Sequence, residues 1–300
     1  AGKAMTKSAF TATGIDVPAG TLLNMPELTY AGVEQTTISV TNATELQAAL
    51  ALGTAEAPVN VVIENDIDMA DGTYVSAVEF YGVLDGQGYS FKNWNATRGL
   101  IATNYGVVKN IVIDASCTLN YTVAEGASGD QNAAFIVENN NVIGTVSGCV
   151  NKGNVIIADV SCGAHRAGGV VGVSYGFIND CINYGKIDVT SQAVKNNQMV
   201  GGVVGYINTN ASTKDALGKD FLANCINYGE VKVLFPCQPK SAFVGGVLGA
   251  TQMAKSSAAV YQGQIVDCIN YGKVSYRFET LSSGTYGNVG GVIGYAQANL

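Results

Sequence analysis

The chain has 300 residues, 47% of them apolar and only 13% charged, with 37 glycines and a net charge of −7. Its 16 Lys and Arg are scattered along the sequence, which argues against a nucleic-acid or anionic-membrane surface. No apolar run approaches the ~18 residues of a membrane span, Ala1 opens no recognisable signal peptide, and the apolar content is ample for one elongated domain.

Residues 1–36 carry no repeat and little periodicity, with Pro18, Pro26 and several glycines among short apolar pieces. They read as an N-terminal extension, either packed on the side of the remaining chain or left from a preceding module. The second unit is residues 37–300. From Thr37 the stretch TISV suits a strand, and Asn42 then caps a short helix with apolar positions at Leu46, Ala49 and Leu50. Val59 to Ile67 reads as a strand, and Phe80 to Phe91 as two strands about Asp-Gly and Gln-Gly turns.

Repeats then take over. A Gly-Gly-apolar-apolar-Gly block occurs at Gly168 (whose next glycine is Gly169), Gly201, Gly245 and Gly290, with looser copies at Arg98 and Ala133; its second position falls at 99, 134, 169, 202, 246 and 291, in steps of 35, 35, 33, 44 and 45. A second block, Cys-Ile-Asn-Tyr-Gly, stands at Cys181, Cys225 and Cys268, with the variant Cys149-Val150-Asn151-Lys152-Gly153 before them. Self-similarity at this period marks a solenoid, propeller or array. The repeated pieces are short, rich in Val, Ile and Tyr, and bounded by Gly, Asn and Asp, with no helical periodicity. A propeller blade needs four antiparallel strands. About three short strands joined by corners fit instead one coil of an all-β parallel β-helix, with the helix near residue 45 covering the first coil's open end. The last block is followed by no Cys-Ile-Asn-Tyr-Gly, so further repeats or a capping partner are expected at the C-terminal end.

Seven cysteines suggest a disulfide framework, but the count is odd and four share one repeat phase. Aligning Gly99–Gly106 with Gly169–Gly176 puts Ile111 in the Cys181 slot, so the slot is apolar and Cys149, Cys181, Cys225 and Cys268 are expected as an inward ladder of free thiols. No metal and no cofactor is expected, since zinc sites want close Cys pairs or His partners. Asn151, Asn183, Asn227 and Asn270 share another slot and suit a structural amide ladder. Tyr184, Tyr228 and Tyr271 share the next, with Lys152 preceding them. These three are the candidate ligand-binding residues, as a platform for sugar rings, or else a cover folded over the following Gly. Adjacent apolar pairs such as Val170 and Val171 should point to opposite faces of a strand. Either the backbone bends at the Gly pair or residues 1–36 and the inserts at 206–220 and 250–264 cover the second face.

The run VVIENDIDM, FYGVLDGQGYSFKNW and GLIATNYGVVKNIVI, followed by the GGVVGxxxGxIxDCINYGxIxV pattern, resembles the GLUG-type repeat proteins over roughly residues 60 to 300. That resemblance implies a right-handed β-helix on a bacterial cell surface, often in gut Bacteroidetes. GLUG repeats also accompany immunoglobulin A peptidases outside their catalytic part, so a protease label by similarity is foreseeable. Cys-Ile-Asn-Tyr-Gly stands here where the family more often has a Cys-Tyr-Ala-Thr-Gly type sequence.

The chain itself carries no zinc-protease motif. Such chemistry needs two His one helical turn apart with a Glu between, and His165 is the one histidine. Cys162 lies close to it in sequence, but without a third orienting group the pair reads as a variable loop. Asp85-Gly86-Gln87-Gly88 resembles the start of polygalacturonases, β-helix enzymes that need two carboxylates across a sugar bond. Against this, Asp180, Asn224 and Asp267 share a slot just before the Cys, with Gly148 earlier, as turn residues do. Asp66 and Asp68 alternate with Ile67 and belong to the solvent side. No catalytic residue is assigned. The expected function is a non-catalytic, adhesin-like surface or secreted protein binding a glycan or host surface protein; the alternative is a carbohydrate-active enzyme.

Overall fold

The computed structural model describes residues 36–70, 72, 74, 76–121, 130–158, 165–190, 197–209, 220–235, 241–253, 264–278 and 286–297. The expected extension lies outside them apart from Thr36, as do Cys162, Cys237 and the tips of both inserts.

Among these residues the chain winds as a right-handed parallel β-helix in which every strand pairing is parallel and joins one coil to the next. Five sheets run along its length. Sheet I extends from Thr37–Val40 to Gln264–Val266, sheet II from Ile67–Asp68 to Ile269–Asn270, sheet III from Asn95–Ala96 to Val274–Phe278, sheet IV from Gln131–Ala133 to Tyr286–Gly290, and sheet V from Ala77–Phe80 to Ile293–Gln297. One coil shows the path: Val171–Ser174 in sheet V, Phe177–Asn179 in I, Ile182–Asn183 in II, Ile187–Thr190 in III and Asn197–Gly201 in IV. The expectation of about three strands per coil is therefore corrected to five for the coils from Ile101 onward, sheet IV having no strand before Gln131–Ala133 among the described residues. Strands of two or three residues leave almost no alternation to read in a sequence, and only pairing with adjacent coils defines them.

Helix α1, Ala43–Leu50, forms as the sequence predicts. Asn42 accepts a hydrogen bond from the Glu45 amide through its side chain, and Glu45 in turn accepts from the Thr41 amide at 2.8 Å, a reciprocal cap. Ala43, Leu46, Ala49 and Leu50 are buried in the same core as Val40, Val61 and Phe80 of the first coil. The helix thus covers backbone and side chains that the first coil would otherwise expose.

The Gly-Gly block makes a tight corner between sheets IV and V, and its hydrogen bonds explain the paired apolar residues. The amides of Val170 and Val171 both donate to the Val203 carbonyl at 3.0 Å, those of Val203 and Val204 to Val247, and those of Val247 and Leu248 to Val292. Two consecutive amides aimed at one carbonyl make a bulge, so alternation fails there. All six side chains of these pairs are fully buried in one core. The backbone bend, rather than a covering segment, resolves the adjacent pairs.

The second Gly of the block has another reason to be Gly. A Cβ on Gly169 would overlap the Asn183 side chain, one on Gly202 that of Asn227, and one on Gly246 that of Asn270. The two sequence blocks thus interlock across the lumen, the amide of one filling the space left by the glycine of the other. In the early coil Arg98 replaces the first Gly. Its guanidinium pairs with the buried Glu138 carboxylate, which also accepts from the Gly99 amide at 2.8 Å, and lies 5.2 Å from the Tyr121 ring centre. Asn140 belongs to a second polar ladder, one that no repeated motif announces. Asn104 donates to it at 2.9 Å, and it donates to Ser174 at 3.0 Å.

Both inserts open at one corner. The chain leaves sheet V through Val204–Thr209 and re-enters sheet I at Asp220–Ala223, and leaves it again through Leu248–Met253 to re-enter at Gln264–Val266.

Candidate functional site

The site is the outer corner between sheets II and III, and its columns follow from strand register. Ile182 pairs with Ile226 and Asn183 with Asn227, and the same pairs continue to Ile269 and Asn270 and back to Val150 and Asn151. With strands of two residues, Asn points inward and the following residue turns out at the corner. Hence Lys152, Tyr184, Tyr228 and Tyr271 form one outer column. The Tyr184 and Tyr228 rings are 4.8 Å apart between centres and 4° from parallel; Tyr228 and Tyr271 are 5.0 Å and 14°. Carbon faces touch at about 3.5–4 Å, so rings whose centres follow the strand spacing must slip across one another, which leaves part of each ring toward solvent. The three residues are 48%, 44% and 65% exposed. These tyrosines therefore do not disappear under the corner. The glycine after each is required by the adjacent coil: a Cβ on Gly185 would overlap the Gly153 carbonyl, and one on Gly229 the Gly185 carbonyl.

Directly beneath the ring column lies the amide ladder. Asn151 donates to Asn183, Asn183 to Asn227 and Asn227 to Asn270, each at 2.8 Å, and each donates also to the carbonyl two residues on. The Gly229 amide returns a bond to the Asn227 side chain at 3.2 Å. Asn151, Asn183 and Asn227 are fully buried, and with both ends of the amide engaged the ladder stiffens the corner that carries the rings.

The four in-phase cysteines are free and form the expected inward column, with Ile111 preceding them. Cys149, Cys181, Cys225 and Cys268 each donate to the carbonyl two residues earlier at 3.2–3.3 Å. Burial pushes the Cys181 thiol well above the ordinary thiol range. A buried thiol held this way is a core group rather than a nucleophile. Among the described residues no cluster of three His, Cys, Asp or Glu side chains suits a metal.

His165 is a correction. It lies in a strand of sheet IV, not in a variable loop, and is fully buried between the Gln131 and Gln198 positions. Burial lowers its pKa to about 4, against a weaker opposing pull from Asp130, so the ring is neutral near pH 7. Asp85 is also committed elsewhere. Burial works against its charge, but it accepts from Asn110 and the Gln87 amide at 3.0 Å and faces Lys109 at 3.2 Å, and these hold its carboxyl below the usual range. Asp180, Asn224 and Asp267, with Asn110, adopt φ of 52–55°, and Gly148 in the same column 61°, confirming a turn role. Asn224 also donates to Asp180 at 3.1 Å. Asp66 and Asp68 are exposed on either side of buried Ile67, as the alternation indicates.

A cavity of about 630 Å³ lies among the first coils, lined by Met69, Tyr74, Trp94, Asn95 and Arg98 among others. Trp94 and Tyr74 are buried against each other edge to face, 5.5 Å between ring centres.

Fold and site together define a parallel β-helix with a laddered corner and an exposed aromatic column. No family profile matches the chain, and no curated protein does. Among solved structures it is similar to a Bacteroides ovatus protein described as a putative immunoglobulin A1 protease, at 18% identity and a TM-score of 0.48, covering 85% of this chain and 84% of that one. A likeness of that degree carries no argument about activity. The fold assignment rests on the strand register above.

Proposed function

We propose that this chain is a non-catalytic, adhesin-like binding module of a bacterial cell-surface or secreted repeat protein of the GLUG type, and that its ligand is a glycan held along the Tyr184, Tyr228 and Tyr271 column. The observation that carries this reading is the half-exposed stack of three parallel rings on a corner stiffened by buried amides. Rigid aromatic surface of this kind binds at low entropic cost, since few rotamers remain to be frozen. The GLUG-type assignment is supported by the quoted motifs and the right-handed β-helix. Among the described residues no helix is long and apolar enough to cross a membrane. A host surface protein is the other ligand class. A glycan array probed with the whole chain and with Tyr184→Ala/Tyr228→Ala tests the reading: signal on carbohydrate that the variant loses supports it, and wild-type signal retained by the folded variant moves the site elsewhere.

A further inference from the structure

The lysines that look scattered in the sequence converge in space. Six lysines lie among the described residues, at 92, 109, 152, 186, 232 and 273. Four of them surround the tyrosine column. Lys152 occupies the column itself, one coil before Tyr184. Val155 pairs with Ile187, Ile187 with Val231 and Val231 with Val274, so Asn154, Lys186, Glu230 and Lys273 form the next outer column, separated from the rings by a line of glycines. Lys232 follows in the column beyond, paired in register with Asp188. The carboxylates interspersed here are Asp114, in the tyrosine column one coil before Lys152, Asp188, which holds Lys186 at 2.6 Å and Lys232 at 3.5 Å, and Glu230, 3.8 Å from Lys273. Four cations against three anions leave these columns positive in a chain whose net charge is −7.

From this juxtaposition we infer that the ligand of the tyrosine column is an acidic glycan, bearing uronate or sulfate groups, laid parallel to the helix axis with its anions on Lys152, Lys186 and Lys273. The inference rests on the glycan reading proposed above and narrows it. Three rings in one column present a linear surface along the axis, which suits a chain polymer. The cations lie at the head of that surface and along one flank. Lys273 is 76% exposed, and its 3.8 Å contact with Glu230 at the surface contributes little, so it is available to a carboxylate or sulfate. Ammonium groups act on such anions as mobile point charges, so the recognition is of charge along a polymer rather than of one bidentate geometry.

The test is titration calorimetry of the full chain with polygalacturonate, hyaluronate and heparin, and with dextran and a neutral xyloglucan, at about 20 and about 200 mM salt. The inference expects binding to at least one acidic polymer, at least about tenfold weaker binding to both neutral ones, and weakening with salt. It also expects Lys152→Gln/Lys273→Gln to lose about tenfold in affinity for that polymer while its thermal unfolding matches wild type. If the neutral polymers bind equally well and Tyr228→Ala abolishes binding while the lysine variant does not, the acidic class is overturned and the glycan reading stands. If no polymer binds to the folded protein, both are overturned.

Discussion

Asn183 and Tyr184 are neighbours in sequence and in the repeat, yet one is fully buried with its amide engaged at both ends and the other stands 48% exposed in a stack of rings. Repetition alone therefore does not separate scaffold from surface. Both residues recur because every coil repeats the same corner. What differs is the consequence of losing them: an inner rung leaves desolvated partners behind, whereas an outer one returns its neighbours to water.

The comparison breaks most visibly at Asn227. Asn227→Ala strips an acceptor from Asn183 and from the Gly229 amide and a donor from Asn270, and is expected to cost about 4 kcal/mol at roughly 1–3 kcal/mol per buried group left unpaired; urea unfolding measures it. Gly202→Ala probes the same rung from across the lumen. Its methyl has no space beside Asn227 and the Gly246 carbonyl, and a loss of about 3 kcal/mol is expected from overpacking against backbone.

His165 extends the inner class to pH. Its folded pKa of about 4 lies below the 6.5 of an unfolded chain, so the unfolded state takes up the proton first as pH falls. Stability from a neutral buried ring is complete above pH 6.5 and is lost progressively down to about pH 4, by about 3 kcal/mol. Unfolding curves across that interval for wild type and His165→Gln isolate this group from the carboxylates, and equal slopes would contradict it. Cys225→Ser, in the thiol column, is expected to cost about 1–3 kcal/mol where the hydroxyl meets a site shaped for sulfur, again read by urea unfolding. Smallest is Tyr228→Ala, expected to change stability by no more than about 1 kcal/mol while removing ligand binding. A loss comparable to that of Asn227→Ala would show that the rings hold the corner together and are not set there for a partner.

Several of these assignments are legible without any coordinates. The phase shared by Cys149, Cys181, Cys225 and Cys268, with Ile111 in the same slot, marks a buried column because one slot accepts only what an apolar lumen tolerates. The Asn column and the capping signals at Asn42 are equally local, being written within a few residues. The strand at His165 is not legible in this way, because the residues before it carry no repeat and a three-residue strand gives no alternation of its own.

By itself, then, the sequence determined that the chain is a stack of similar coils, which slots share a column, and where a helix starts. Those properties depend on spacing along the chain and on side-chain chemistry at single positions. Only the tertiary structure decided that the coils from Ile101 onward have five strands, that Val170 and Val171 both face the core, that glycine at 169 makes room for Asn183, and that Lys152, Lys186, Lys232 and Lys273 share one face. The physical reason is common to all four. Each is set by hydrogen bonds between coils or by contacts across the lumen, joining residues far apart in sequence, whose geometry exists only once the coils are stacked.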